Sequence, residues 1–187
     1  MIIIRRARPG DATAIGAVHV AAWRSTYAGI LPQDYLARLS AVRQAAHYQA
    51  AIGGGVGVYV AVHSDADPAA SIIIGFVTAG RARQGAGAPA DGEIETLYVL
   101  DDWRDRGVGR RLMRAGADHL AEMGCQAVFL WVLRENPSRW FYARLGGKPA
   151  VQSVIQVGGQ NVTQTAYVWA PIARLAEATA PEGPTHD

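Results

Sequence analysis

The chain has 187 residues, half of them hydrophobic, which suits one domain with a sizeable core. Its formal charge of +2 and charged fraction of 18% are too modest and dispersed for a nucleic-acid-binding surface. A single cysteine, Cys125, rules out an internal disulfide and a cysteine-based zinc site.

Ile2 to Arg6 reads as a short strand. Asp11 then suits the N-cap of a helix running to about Trp23. The opening "MIIIRRARPG" is too short in apolar residues for a secretory signal, and no run is long enough to cross a membrane. The expectation is a cytoplasmic protein. After the break "GILP", "PQDYLARLSAVRQAAHYQAAI" reads as one second helix with Pro32 in its first turn.

Gly53 to Gly55 stop that helix. "VGVYVAVH" and "SIIIGFVTAG" read as the two strands of a hairpin, and "RARQGAGAPADG" as a mobile loop. "EIETLYVL" is the next strand. A helix follows from about Gly107 to Met123, with His119 expected on its surface and Gly124 as its stop. "AVFLWVLR" has the near-continuous apolar character of a central strand, with Cys125 a core thiol just before it. "NPSRWFYARLGG" reads as a short helix, with Asn136 at the N-cap and Pro137 at the first position. "VQSVIQV" and "NVTQTAYVWA" close the domain as a hairpin around "GGQ".

The expected fold class is α+β: a mixed, mostly antiparallel sheet of about seven strands, with helices on both faces. One βαβ crossover, from "EIETLYVL" to "AVFLWV", makes a parallel pair. The expected domain spans residues 1–170, followed by a disordered tail over 171–187.

The informative segment is "DDWRDRGVGRRLM", between a strand and a helix. Glycines there let helix N-terminal amides turn toward a phosphate, and Arg104, Arg106, Arg110 and Arg111 add positive charge. The same residues also suit a tight turn at a solvated basic helix start. No Lys-Ser or Lys-Thr follows the second glycine, so this is not a P-loop. The dinucleotide fingerprint needs a third glycine where Leu112 stands.

Arg104-x-x-Gly107-x-Gly109, after a strand ending "LYV", resembles the acetyl-CoA signature of the GCN5-related N-acetyltransferase (GNAT) family. "NPSRWFYARLGG" resembles the family's fourth-helix motif, and the likeness covers Ile2 to about Ala170. It implies the acyl-CoA N-acyltransferase fold, whose parallel strands splay at the cofactor. It implies that Leu97, Tyr98 and Val99 pair with the pantetheine arm. The cradle for the pyrophosphate would be Arg104, Asp105, Arg106, Gly107, Val108, Gly109 and Arg110. Asn136 would lie by the pantetheine, although the spacing to Tyr142 is one residue shorter than the family's. Tyr142 would stand near the thioester sulfur and stabilise the thiolate.

The implied activity is direct acetyl transfer from acetyl-CoA to a primary amine, with a small molecule as the expected acceptor. A protein amine, or an acyl-CoA sensor without turnover, is the alternative. An alkyl ammonium with a pKa of about 10.4 must lose its proton to attack. Glu93 and then Glu95 are the candidate bases, with ordered water as a third possibility. Strict alternation puts both on one face of their strand, and a bulge would change that. Tyr27 and Tyr35 are candidate walls of the acceptor site, while Trp23, Trp131 and Trp140 read as core. The five histidines show no metal-ligand spacing, and no metal is expected. No nucleic-acid or membrane partner is expected. The apolar last hairpin, with Tyr167 and Trp169, is a candidate homodimer surface.

Overall fold

The computed structural model describes residues 1–64, 71–83 and 88–181. Seven strands form one sheet: β1 (Ile2–Arg6), β2 (Gly57–His63), β3 (Ile72–Arg81), β4 (Gly92–Val99), β5 (Val128–Leu133), β6 (Lys148–Val157) and β7 (Gln160–Trp169). Their order is β1-β2-β3-β4-β5-β7-β6. Every neighbouring pair is antiparallel except β4 and β5. Those two are joined by a helical crossover, which enforces the parallel sense. The α+β mixed sheet expected from the sequence is the one observed.

Helices α1 (Ala12–Thr26), α2 (Gln33–Ala37) and α3 (Ala41–Gly53) follow β1. The single second helix expected from the sequence is two helices, because Ser40 adopts an extended conformation and caps α3 by accepting from the Arg43 amide. The crossover helix is α4 (Val108–Glu122), and α5 (Arg139–Arg144) and α6 (Ala173–Ala178) follow later. None of the described helices is long and apolar enough to cross a membrane.

Each face of the sheet buries its own cluster. On one face, Ile15 and Val18 of α1 and Tyr48 of α3 pack with Val58, Val60 and Phe76 of the sheet. On the other, Val108, Leu112, Met113, Ala117 and Leu120 line one stripe of α4 and cover Ile74, Val77 and Ile94. His119 belongs to that buried side rather than the surface: it is 8% exposed and packs over Gly57, where a Cβ would lie 2.2 Å from its ring. The three-residue phase of the helix places it beside Gly116 and Leu120, which one-dimensional reading does not resolve.

Packing continues past Ala170. Leu175 of α6 is fully buried in the α4 cluster, and the Arg110 and Arg114 side chains donate to the Ala180 and Ala176 carbonyls. Residues 171–181 are therefore part of the domain, not a disordered tail; the calls on 182–187 and on the centre of the loop at 84–87 lie outside the described residues. Trp169 is also fully buried, with its Nε1 donating to the Leu145 carbonyl. The apolar character of the last hairpin serves the core at that position, and the edge strand is β6.

The two long helices of the first face touch at Gly16. A Cβ there would lie 2.5 Å from the Ala41 carbonyl oxygen and 2.7 Å from the Ala45 nitrogen. Both are backbone atoms and cannot swing away. Alanine gains about 1 kcal/mol of helix propensity over glycine, but overpacking costs about 1–3 kcal/mol. Gly16→Ala is therefore expected to lower stability by about 1 kcal/mol or more in urea unfolding.

Beneath this contact, His19 is buried with its Nδ1 2.7 Å from the Tyr48 hydroxyl and its ring stacked on Trp23. Burial, with His47 nearby, lowers its pKa to about 4. Below its unfolded pKa of about 6.5 the unfolded chain binds a proton that the folded chain refuses. Stability is therefore expected to fall as pH drops from about 6.5 to 4, by up to roughly 3 kcal/mol. Urea titrations across that range should show the slope, and His19→Phe should flatten it.

Candidate active site

Pairing between β4 and β5 consists of two residue pairs, Gly92 with Val128 and Glu93 with Phe129. Beyond Glu93, β4 stays bonded to β3 and β5 to β7, and the two strands part. A bulge coincides with the parting. Ala79 of β3 faces Ile94 and Thr78 faces Thr96, so Glu95 is an extra residue on β4. The bulge resets parity: Ile94 joins Leu97 and Val99 in the α4 cluster, while Tyr98 faces the α1 side. Glu93 and Glu95 are thus not equivalent positions on one regular strand.

Two cavities occupy the cleft. The inner one, about 430 Å³, is lined by Leu97, Tyr98 and Val99 of β4, Leu130 to Val132 of β5, and the loop before α4. Asn136, Phe141 and Tyr142 close its far side, and Trp140 and Arg144 stand on its wall. The outer one, about 600 Å³, is lined by Glu93, Arg83, Phe129, Trp23 and the β6 residues Val151, Ser153, Ile155 and Val157. Tyr27, Glu95, Tyr98 and Trp131 line both. The two cavities meet at those four side chains.

The loop into α4 has the geometry for an anion. Asp105 has φ +56° and Gly107, the N-cap, φ +73°. Asp tolerates this left-handed region and glycine adopts it freely. Gly109 lies close under Phe141, where a Cβ would be 3.3 Å from the ring. Buried Val108 anchors the start of the helix. The first amides of α4 have no intrahelical partner, and they carry the positive end of a 15-residue helix.

The arginines divide their work. Arg104 and Arg110 line the inner cavity. Arg104 also pairs with Asp101 at 2.8 Å and donates to Thr26 of α1 at 2.9 Å, while Ser25 donates to Asp101. The loop before α4 is thereby tied to the end of α1. Arg106 lies over the Trp103 ring, and Arg111 donates to the Ile2 carbonyl, bracing β1.

Tyr142 is 7% exposed, and burial, reinforced by the nearby Tyr27, pushes its phenol well above the ordinary range. It remains a neutral hydroxyl and a hydrogen-bond donor. Tyr27 is also raised by burial, partly offset by a hydrogen bond from Asn136 Nδ2 at 3.1 Å. The Asn136 Oδ1 accepts from the Ser138 amide at 2.9 Å. Asn136 therefore lines the cavity while bracing the end of α1 against the loop after β5. The helix begins later than expected, at Arg139 with Ser138 as its cap.

Glu93 is 4% exposed and holds Arg83 at 3.0 Å. Glu95 makes no hydrogen bond or ion pair among the described residues. Tyr35 lines neither cavity; it packs on the β6–β7 turn, where a Cβ on Gly158 would lie 2.7 Å from its ring. Trp23 and Trp131 are lining residues rather than core, and Trp140 is 59% exposed, because α5 turns it outward under Arg139. The β6 strand was legible in "VQSVIQV" as half of the final hairpin, but the cavity its Val151, Ser153, Ile155 and Val157 line is set by distant segments. Among the described residues, no three His, Cys, Asp or Glu side chains gather as a metal site.

The sheet therefore splays beside the N-terminus of α4, with Tyr142 buried on the cavity between the parted strands. The model of the acetyltransferase (GNAT) family matches residues 19–147, and the chain belongs to this family of acetyl-CoA-dependent enzymes. An uncharacterized N-acetyltransferase of Bacillus subtilis, YuaI, is 29% identical over 94% of this chain and 96% of its own. The structure of yncA, a putative acetyltransferase from Salmonella typhimurium solved with acetyl-CoA, superposes with TM-score 0.68 at 21% identity. It covers 97% of this chain and 98% of its own. The paia N-acetyltransferase of Thermoplasma acidophilum, solved with coenzyme A, gives TM-score 0.62 at 18% identity over 88% and 98%.

The brace between Asn136 and Tyr27 is buried on both sides. Asn136→Ala and Tyr27→Phe are each expected to cost about 1–3 kcal/mol, since each leaves the other's polar atom unpaired. The double variant should cost less than the sum. A double-mutant cycle in urea should return a coupling of about 1 kcal/mol.

Proposed function

We propose that this chain moves the acetyl group of acetyl-CoA directly onto a primary amine of a small molecule held in the outer cavity. The observation that carries this reading is the meeting of two cavities at Tyr27, Glu95, Tyr98 and Trp131. A ternary complex needs such a junction, because thioester and amine must touch while their bodies stay apart. The inner cavity suits the pantetheine arm, whose amides would pair with the β4 edge that β5 vacates. The amides from Asp105 to Arg110 would hold the pyrophosphate, with Arg104 and Arg110 beside it.

The acceptor arrives as an ammonium ion. Glu95, at the junction and without a competing ion pair, takes the first proton and passes it to solvent through the outer cavity. Glu93 is committed to Arg83, so Glu95 is the favoured base, reversing the order that the family resemblance suggests. The neutral nitrogen attacks the thioester carbonyl, and an amide of the free β4 edge would donate to the oxyanion. The C–S bond then breaks. Tyr142 donates a hydrogen bond to the departing thiolate. Its raised pKa means it steadies the charge without surrendering its proton. The second nitrogen-bound proton accompanies the thiol, so the reaction releases one acetamide, one free thiol and one net proton.

Calorimetric titration with acetyl-CoA and with 3′-dephospho-CoA tests the cofactor half, and absence of binding at millimolar ligand would overturn the reading. Thiol release with an amine panel tests the chemistry. Glu95→Gln is expected to lower kcat by about 10²-fold or more, Tyr142→Phe by about tenfold, and Glu93→Gln by less than tenfold. A larger loss in Glu93→Gln than in Glu95→Gln would transfer the base role to Glu93.

A further inference from the structure

The outer cavity restricts what the acceptor can be, an inference that rests on the acetyl-transfer reading above. Its volume, about 600 Å³, is that of a site for a compact small molecule. Its charges are Glu93 and Glu95 against Arg83, the one cation among the described lining residues. Arg83 is already held by Glu93 at 3.0 Å, and its side chain is 73% exposed toward the mouth. One negative charge is left over, at Glu95, where the cavities meet. That balance attracts a monocation with its ammonium at the junction.

The same balance repels a carboxylate. An acidic acceptor would compete with Glu93, which is 4% exposed, for the Arg83 that neutralises it. Weakening the partner of a buried carboxylate is unfavourable. The remaining walls are apolar. Trp23, Phe129 and Trp131 present rings, and Phe129 and Trp131 sit edge to face at 6.2 Å. Val151, Ile155 and Val157 of the edge strand β6 form the opposite side. Rings favour both a flat apolar body and a nearby ammonium. A second ammonium further along a chain would face the β6 aliphatics with no described anion to meet it.

We propose that the acceptor is a carboxylate-free arylalkylamine: a flat apolar body on a short chain bearing one primary ammonium. The amine lies at Glu95 and the ring between Trp131 and β6. Ser153 is the polar interruption in that β6 wall, accepting from Gln164 Nε2 at 3.0 Å. A cation placed there would supply what the wild-type cavity lacks.

The test compares matched pairs that differ by one carboxylate: phenethylamine with phenylalanine, and tryptamine with tryptophan. Spermidine and a lysine peptide are further arms, all followed by thiol release under saturating acetyl-CoA. The decarboxylated member of each pair is expected to show at least tenfold higher kcat/KM than the amino acid, and to exceed spermidine and the peptide. Ser153→Arg is expected to shrink the amine-to-amino-acid ratio by at least tenfold while the acetyl-CoA Kd stays within twofold. Equal or better turnover of the amino acids, spermidine or the peptide would overturn the proposal and leave acetyl transfer standing. Acetyl-CoA binding with no turnover of either arylalkylamine would also overturn it. Failure to bind acetyl-CoA at all would instead bring down the reading beneath it.

Discussion

Parallel pairing between β4 and β5 lasts for two residue pairs and then stops, and the site exists because of it. A strand that loses a partner exposes a row of amides and carbonyls that must find others. Here the vacated edge lines a cavity, so its backbone groups are offered to a ligand. The extra residue at Glu95 is inseparable from this opening. A bulge bends the strand and re-aims side chains, and this one turns a carboxylate into the space where the cavities join while returning Leu97 and Val99 to the α4 core. Filling the cleft with a continued ladder would bury more backbone and abolish the function.

The elements around the fork hold it open. Helix α4 is pinned by a buried stripe and delivers its N-terminus at the inner mouth. Helix α1 ends at the junction and is fixed there twice: Arg104 and Asp101 tie its last turn to the phosphate loop, and Asn136 ties Tyr27 to the loop after β5. The outer-cavity wall and the loop before α4 are therefore mechanically linked. Arg104 is bonded to the helix whose end lines both cavities.

Burial assigns the roles of the polar groups. Tyr142 is buried enough to remain a phenol, a hydrogen-bond donor rather than a base. Of two carboxylates two residues apart, Glu93 is neutralised by Arg83 and Glu95 is not, so equal chemistry in the sequence becomes unequal chemistry in the fold. The aromatic side chains behave similarly. Trp169 is core and satisfied by a carbonyl, whereas Trp23 and Trp131, identical in composition, form walls.

Local chemistry made much of this legible in one dimension. The Gly107-x-Gly109 turn, the apolar run of β5 and the final hairpin each depend on neighbours within a few residues, and each is where its pattern placed it, while the short helix carrying Tyr142 starts at Arg139, later than its pattern placed it. The glycine turn before α4 and the helical segment carrying Tyr142 were readable for that reason. Contacts between distant segments were not. Whether His119 is buried depends on Gly57, whether Tyr35 meets ligand depends on Gly158, and whether Glu93 is free depends on Arg83. The continuation of the domain through Leu175 depends on the α4 groove that receives it. The sequence by itself determined most of the elements, the parallel crossover and the glycine turn before α4, because hydrophobic period and turn chemistry are local. The tertiary structure alone decided which strand pair opens, which carboxylate stays free and which aromatics face the cavity, because those outcomes are set by partners far away in the chain.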